Sequence, residues 1–257
     1  MGRKYFVWSF DDGLQQDKKI IEILRKYGMG ATFHLNSALL GHEQMIGRIG
    51  NLGIHEYQLA AYQQKKFHLL PAVSHYRIPA DEISQVYQGF EVASHTAHHV
   101  NCRKVSAQEL KKEVQSDQKI LSKLTGQKIR GFAYPFGAYQ KNTPQLLQKW
   151  GIKYARTASL THTFDFPSDP LKLPMTSWLC MKSARQKIQS FIDLQLEEKS
   201  DAFFLMFGHG YELDFQTPES NWQKFEAICE QLANQEIFCC SIRTALSMHQ
   251  KEGVSEE

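Results

Sequence analysis

The sequence predicts an α/β fold on a parallel sheet, with the site at the carboxyl-terminal rim of the strands. Three observations carry this. Short apolar runs alternate with amphipathic helical stretches, the strand–helix–strand spacing of parallel sheets. About seven such units fit into the chain, one fewer than a complete eight-unit barrel. The residue types that carry chemistry fall just after the strands, where parallel α/β folds gather their sites. With 257 residues, 42% of them hydrophobic, the chain can bury one sizeable core. Residues 1–250 therefore read as a single domain, with 38–80 as an insertion or decoration and 251–257 as a disordered tail.

Tyr5-Phe6-Val7-Trp8 opens as a buried strand and runs into Ser9-Phe10-Asp11-Asp12-Gly13. Asp17 is placed to cap a helix reaching Tyr27, with Ile20, Ile21, Ile23 and Leu24 as its apolar stripe and Gly28 as its stop. Residues 30–36 read as the second strand. Residues 38–66 look like helical pieces broken by glycines, and 67–79, with Pro71 and Pro79, like an irregular or hairpin excursion. Clear patterns return with a strand at 90–94, a helix from Ser106 to about Leu124, and a strand at 131–137 with its exit loop. A helix at 144–150, a strand at 152–157, a short strand near 171–178 and a helix at 183–198 follow. An apolar strand at 202–207 ends in Gly208-His209-Gly210. A helix at 218–234, a strand at 237–242 and a terminal helix complete the chain.

Composition excludes several classes. The net charge of +3 comes from interspersed Lys and Arg, so no basic block suggests nucleic acid. No run approaches transmembrane length and no signal-peptide pattern opens the chain, so a cytoplasmic protein without a membrane partner is expected. The five cysteines form no C-x-x-C pair and fit reduced thiols better than a disulfide framework.

Two adjacent carboxylates after a buried strand repel each other and resist ionising together. A cation beside them relieves this, as does a division in which one binds metal and the other takes a proton. If residues 95–99 form a helical turn, His95 and His99 share a face, about 5–6 Å apart at Cβ. One carboxylate and two imidazoles suit zinc or another divalent transition metal, with a position left open for water. Each piece alone has a plainer reading: Asp11-Asp12-Gly13 as a turn or cap, the histidine spacing as chance, Tyr134-Pro135-Phe136 as packing. Their placement on one rim favours a site.

These segments resemble the polysaccharide deacetylases with a NodB-homology domain, carbohydrate esterase family 4. Ser9-Phe10-Asp11-Asp12-Gly13 is similar to that family's Thr-Phe-Asp-Asp-Gly motif. Ser94-His95-Thr96-Ala97-His98-His99 resembles its second motif, and Leu205 to His209 its last, an apolar strand ending near a histidine. The resemblance covers roughly residues 4–245 and implies a distorted (β/α)7 barrel. It implies Asp11 as general base, Asp12, His95 and His99 as metal ligands, and His209 as general acid. One divalent cation is implied, zinc first, with cobalt, nickel or manganese as alternatives. The third motif departs: the family has Arg-Pro-Pro-Tyr-Gly where this chain has Ala133-Tyr134-Pro135-Phe136-Gly137. Arg156 is the candidate substitute for the missing arginine, and the Phe136 N–H remains an oxyanion donor, since that role needs no side chain. Trp178 stands as the substrate wall and Asp169 as partner of the acid histidine, with Glu212 and Asp214 kept outside the core site. The implied reaction removes N- or O-linked acetyl groups from a saccharide. The alternatives are a same-fold hydrolase of a non-sugar amide and a catalytically silent carbohydrate-binding protein.

Overall fold

The computed structural model describes residues 2–46, 73–197, 200–215, 218 and 220–253. In chain order its strands are β1 (Lys4–Asp11), β2 (Ala31–Leu35), β3 (Glu43–Ile46), β4 (Val73–Tyr76), β5 (Glu91–Ser94), β6 (Gly131–Ala133), β7 (Tyr154–Leu160), β8 (Leu173–Met175), β9 (Ser177–Trp178), β10 (Ala202–His209) and β11 (Ile237–Cys240). The helices are α1 (Asp17–Lys26), α2 (Ile83–Val86), α3 (Ala107–Thr125), α4 (Thr143–Lys149), α5 (Ala184–Asp193), α6 (Trp222–Ala233) and α7 (Ile242–Gly253). Among the described residues, no helix is long and apolar enough to cross a membrane.

The main sheet runs β8-β7-β6-β5-β2-β1-β10-β9, every neighbouring pair parallel. Its two ends are one piece of chain. β8 pairs with β7 and β9 with β10, and only Thr176 separates them; its N–H donates to Leu205 O at 2.9 Å. The segment 173–178 thus nearly closes the sheet into a ring of seven positions, a distorted (β/α)7 barrel. β11 lies off this ring, pairing with Lys4–Val7 of β1 while β2 takes Trp8–Asp11. The last strand of the sequence is therefore an addition, and the seventh place belongs to 173–178.

Strand alternation sorts β1 into two faces. Phe6, Trp8 and Phe10 pack outward against Phe204, Phe33 and Phe225 of α6, with ring centroids 4.7–6.1 Å apart. Each such aromatic, buried to 1% exposure or less, contributes about 1.5–3 kcal/mol. The alternate residues Ser9 and Asp11 meet His34 of β2 on the other face. That face carries the site.

Several elements differ from expectation. Asp17 begins α1 but does not cap it: the N-cap is Gln16, and the buried Asp17 carboxylate accepts from the Tyr87 hydroxyl at 2.7 Å. Burial pushes its pKa up to about 8. Of the 38–66 stretch expected to be helical, the described part holds a 3-10 turn at Ser37–Leu39 and strand β3, which pairs antiparallel with β4. Residues 47–72 lie outside the described residues. Of the tail expected at 251–257, residues 251–253 belong instead to α7, which runs to Gly253; residues 254–257 lie outside the described residues. All five cysteines are free.

Candidate functional site

Asp11 and Asp12 sit where β1 ends, and their backbones diverge. Asp11 is still in the strand, with His34 as its Cα partner on β2 and His209 as its Cα partner on β10. Asp12 turns into the left-handed region at φ 77°, its N–H donating to His34 O at 2.9 Å. Four non-glycine residues among those described have positive φ: Asp12, Thr96, His99 and Phe136. All four lie on the loops of this rim. Such conformations cost on the order of 1–3 kcal/mol each and concentrate at functional sites.

The His95–His99 loop is a turn, so the condition of a helical turn at 95–99 is not met. The positive φ of Thr96 and His99 breaks helical geometry. What holds it is side-chain hydrogen bonding to its backbone. Asp117 of α3 accepts from the Ser94 hydroxyl and from His95 N at 3.2 Å, and Asn36 Nδ2 donates to the carbonyls of His95 and Thr96 at 2.7 and 2.9 Å. The two imidazoles nevertheless meet edge to face, centroids 4.8 Å apart. The His95 Nδ1 sits 2.8 Å from the Ala133 carbonyl, which can only accept. Nδ1 therefore carries the proton, and Nε2 presents a lone pair to the site. Burial, helped by His99, lowers the His95 pKa to about 3 against the pull of Asp11, so the ring is neutral. Burial likewise lowers His99.

One donor atom from each of Asp12, His95 and His99 lies within 4.8 Å of the others, a spacing that suits one cation. Among the described residues the buried Asp12 Oδ1 finds no hydrogen-bond partner, which a metal would supply. Burial would raise the Asp12 pKa, but His75, His99 and Arg77 outweigh it and hold the carboxyl well below the ordinary range. The donor set thus fits a divalent transition metal.

Asp11 lies beside that set, its Oδ2 3.5 Å from His95 Nε2, but is held by other partners. Arg156 donates to its Oδ2, and His34 Nδ1 lies 3.3 Å from Oδ1. Burial would raise this carboxyl, yet Arg156, His95 and His34 together hold it far below its ordinary value. Arg156 is Cα partner of Ala133 in the β6–β7 register. The guanidinium therefore comes from the strand next to the one where the family pattern carries it, at the same height. Its other face lies on the Phe207 ring, 4.1 Å from the centroid.

His209 is oriented by Glu212, three residues on, with Nδ1 2.7 Å from Oε1. Glu212 is fully buried and also accepts from Trp178 Nε1 at 2.8 Å and Cys180 Sγ at 3.2 Å. Burial would lower the His209 pKa, but Glu212 with the two aspartates raises it to about 9. Asp169, the partner expected for this histidine, is not beside it. It caps the 170–172 turn and pairs with Lys172 at 2.8 Å, because the backbone there leaves Leu171 N to be satisfied. Trp178 is buried to 5% exposure against Glu212. Tyr134 is turned into a side core, its hydroxyl donating to Leu171 O, and Pro135 is buried. Phe136 is 54% exposed, its ring 4.7 Å from that of His99.

Sequence reasoning did not single out His34, His75, Arg77 or Asp117. His34 had a faint signal, since polar Thr32 and His34 alternate on an otherwise apolar strand. The others had none, because each reaches the site through tertiary packing.

The family profile described as Polysaccharide deacetylase matches residues 1–155. A Bacillus subtilis protein provisionally assigned as a polysaccharide deacetylase is 23% identical over 150 residues, 58% of this chain and 43% of that protein. The match spans less than half of the relative's length. Among solved structures, the Xyl-CE4 domain of a multidomain xylanase from the hindgut metagenome of Trinervitermes trinervoides is similar with TM-score 0.55 at 18% identity, over 99% of this chain and 93% of that one. A provisionally assigned polysaccharide deacetylase from Mycobacterium smegmatis gives 0.62 at 11%, over 99% and 93%. A CE4 family pseudoenzyme from Bacillus anthracis gives 0.53 at 14%, over 95% and 66%. At these identities the structures show the fold alone. The profile, matching more than half of the residues, reaches further: this chain belongs to the polysaccharide deacetylase family.

Proposed function

We propose that this protein is a metal-dependent hydrolase that removes acetyl groups, N- or O-linked, from a saccharide. The observation that carries this reading is the opposed tuning of Asp11 and His209, Cα partners on adjacent strands, beside the Asp12–His95–His99 set. Two groups whose surroundings push their pKa values apart are the mark of a base and an acid sharing one reaction. A divalent cation held by Asp12, His95 and His99 supplies Lewis acidity toward the acetyl carbonyl and makes the attacking water more acidic.

Asp11 receives the proton as water adds to the acetyl carbon. Its low pKa keeps it ionised at any working pH, and Arg156 fixes its Oδ2. The N–H of Phe136 is the proposed hydrogen-bond donor to the developing oxyanion; loss of one such donor typically costs about 100- to 1,000-fold in rate. His209, protonated below about pH 9, donates to the leaving nitrogen or oxygen as its bond to carbon breaks. The products are acetate and the free amine or hydroxyl. The exposed Phe136 ring offers an apolar face for a sugar ring at the mouth of the site. Against a silent binding protein stands Arg156: the cation absent at position 133 is present on the base from the next strand.

Acetate release from acetylated chito- and xylo-oligosaccharides, with chelator and then metal add-back, tests the reading. Chelator-sensitive release is expected. Saccharide binding without release, or turnover of non-sugar amides alone, overturns it.

A further inference from the structure

We propose that His75 on β4 is a positioning residue for Asp12, holding one carboxylate oxygen so that the other is offered to the cation. This rests on the metal-dependent reading above, and it adds a residue from outside the parallel sheet.

The chain around β4 lies across the loop that follows the two aspartates. Gln15 N donates to Tyr76 O and Ile78 N to Gly13 O, both at 2.9 Å, and Leu14 bridges antiparallel to Arg77. This pairing fixes the register of the segment against Asp12. Strand alternation then puts residues 75 and 77 on one face, and both reach the same carboxylate. His75 Nε2 is 3.0 Å from Asp12 Oδ2, and an Arg77 terminal nitrogen is 3.7 Å from Oδ1.

Both side chains are nearly fully buried, at 3% and 6% exposure. Such burial costs free energy unless the polar atoms find partners. Among the described residues the His75 Nδ1 finds no hydrogen-bond partner and the ring lies against Tyr211, centroids 5.5 Å apart, so the Nε2 contact is its polar gain at this place. An ionised carboxylate only accepts, so Nε2 carries the proton in that contact. With Oδ2 occupied, Oδ1 stays without a hydrogen bond on the side of His99, whose Nε2 is 3.8 Å away. Without His75 the carboxylate can rotate and present both oxygens to the Arg77 fork, the geometry in which carboxylates pair best with guanidinium. The cation would then lose a ligand. His75 keeps the carboxylate from making that alternative pair.

The test uses the full chain, stripped with chelator and titrated with Co2+ alone, followed by calorimetry and by the visible absorption of bound cobalt. His75→Met and His75→Gln are matched in length, and only the glutamine keeps an N–H donor. His75→Met is expected to weaken Co2+ binding about 10- to 100-fold, the usual effect of losing a partner behind a ligand, and to alter the cobalt bands. His75→Gln is expected to restore most of both. Thermal melts of the metal-free variants establish that each is folded. Equal affinity and equal spectra in wild type, His75→Met and His75→Gln overturn the inference alone. A wild-type protein that binds no Co2+ overturns the metal-dependent reading, and the role of His75 with it.

Discussion

Asp11 and Asp12 are consecutive, buried carboxylates, yet the structure gives them different hydrogen-bond partners. Asp11 takes Arg156 and His34 and lies 3.5 Å from His95 Nε2; Asp12 takes His75, Arg77 and His99. Repulsion between the two is offset by the cations and donors around each, Arg156 on Asp11 and Arg77 with His75 on Asp12. Asp11→Asn is therefore expected to bind metal as the wild type does while turnover falls about 100- to 10,000-fold, the range for a lost general base. Metal titration and acetate release on the same preparation check this, and full activity in that variant would sink the assignment. His209 makes a pH prediction. Its folded pKa is raised to about 9 from the ordinary 6.5, so the acid form persists through neutrality and activity should decline as pH passes 9. Glu212→Gln removes the largest raising influence, so that alkaline limb should move toward lower pH. In stability, the His209–Glu212 contribution is fully present below pH 6.5 and is lost as pH rises through 9. A limb unchanged in Glu212→Gln would show that another group titrates there.

Elements were more legible than the contacts between them. The ring strands follow from apolar runs and helix periodicity, and the rim residues follow from where those runs stop. Arg156 was a reasonable candidate because it ends the strand next to Ala133, and register pairing places it on Asp11. Glu212 was visible three residues after His209, but sequence alone could not choose between a loop carboxylate and an orienting one. The choice is made by Trp178 and Cys180, over thirty residues away in the chain, which donate to it in the interior. His75 was illegible for a plainer reason: a strand outside the periodic βα units carries it, and its contact with Asp12 spans 63 residues. The β6 exit loop makes a prediction at this scale. Gly137 has φ +63°, and a Cβ there would stand 2.5 Å from Ala158 Cβ and 2.9 Å from Ala158 N. Gly137→Ala should lower stability by about 1–3 kcal/mol through strain and overpacking, and displace Phe136 from His99. Denaturant unfolding reads the first effect. An unchanged midpoint would show that the loop relaxes freely.

At the scale of the whole molecule, the barrel brings the metal set together from elements far apart in sequence: Asp12 after β1, and His95 and His99 on the loop after β5, with Asp117 of α3 fixing the start of that loop. None of this arrangement survives in an unfolded chain, so a cation that binds the assembled set stabilises the fold by mass action. At a free metal concentration about 100 times its dissociation constant the gain is about 2.7 kcal/mol. For a domain of this size each kcal/mol moves the melting temperature by about 2–4 °C, so a rise of roughly 5–10 °C is expected. Chelator should reverse it. Asp12→Ala and His95→Ala should abolish the rise; the quantity compared is the shift on adding metal, so differences in metal-free melting temperature do not enter. Asp11→Asn should keep it, since Asp11 is held by Arg156 and the proposed ligands are Asp12, His95 and His99. A rise that persists in Asp12→Ala would place the cation elsewhere, and equal loss in Asp11→Asn and Asp12→Ala would mean that both carboxylates bind it, removing the division of labour on which the proposed chemistry depends.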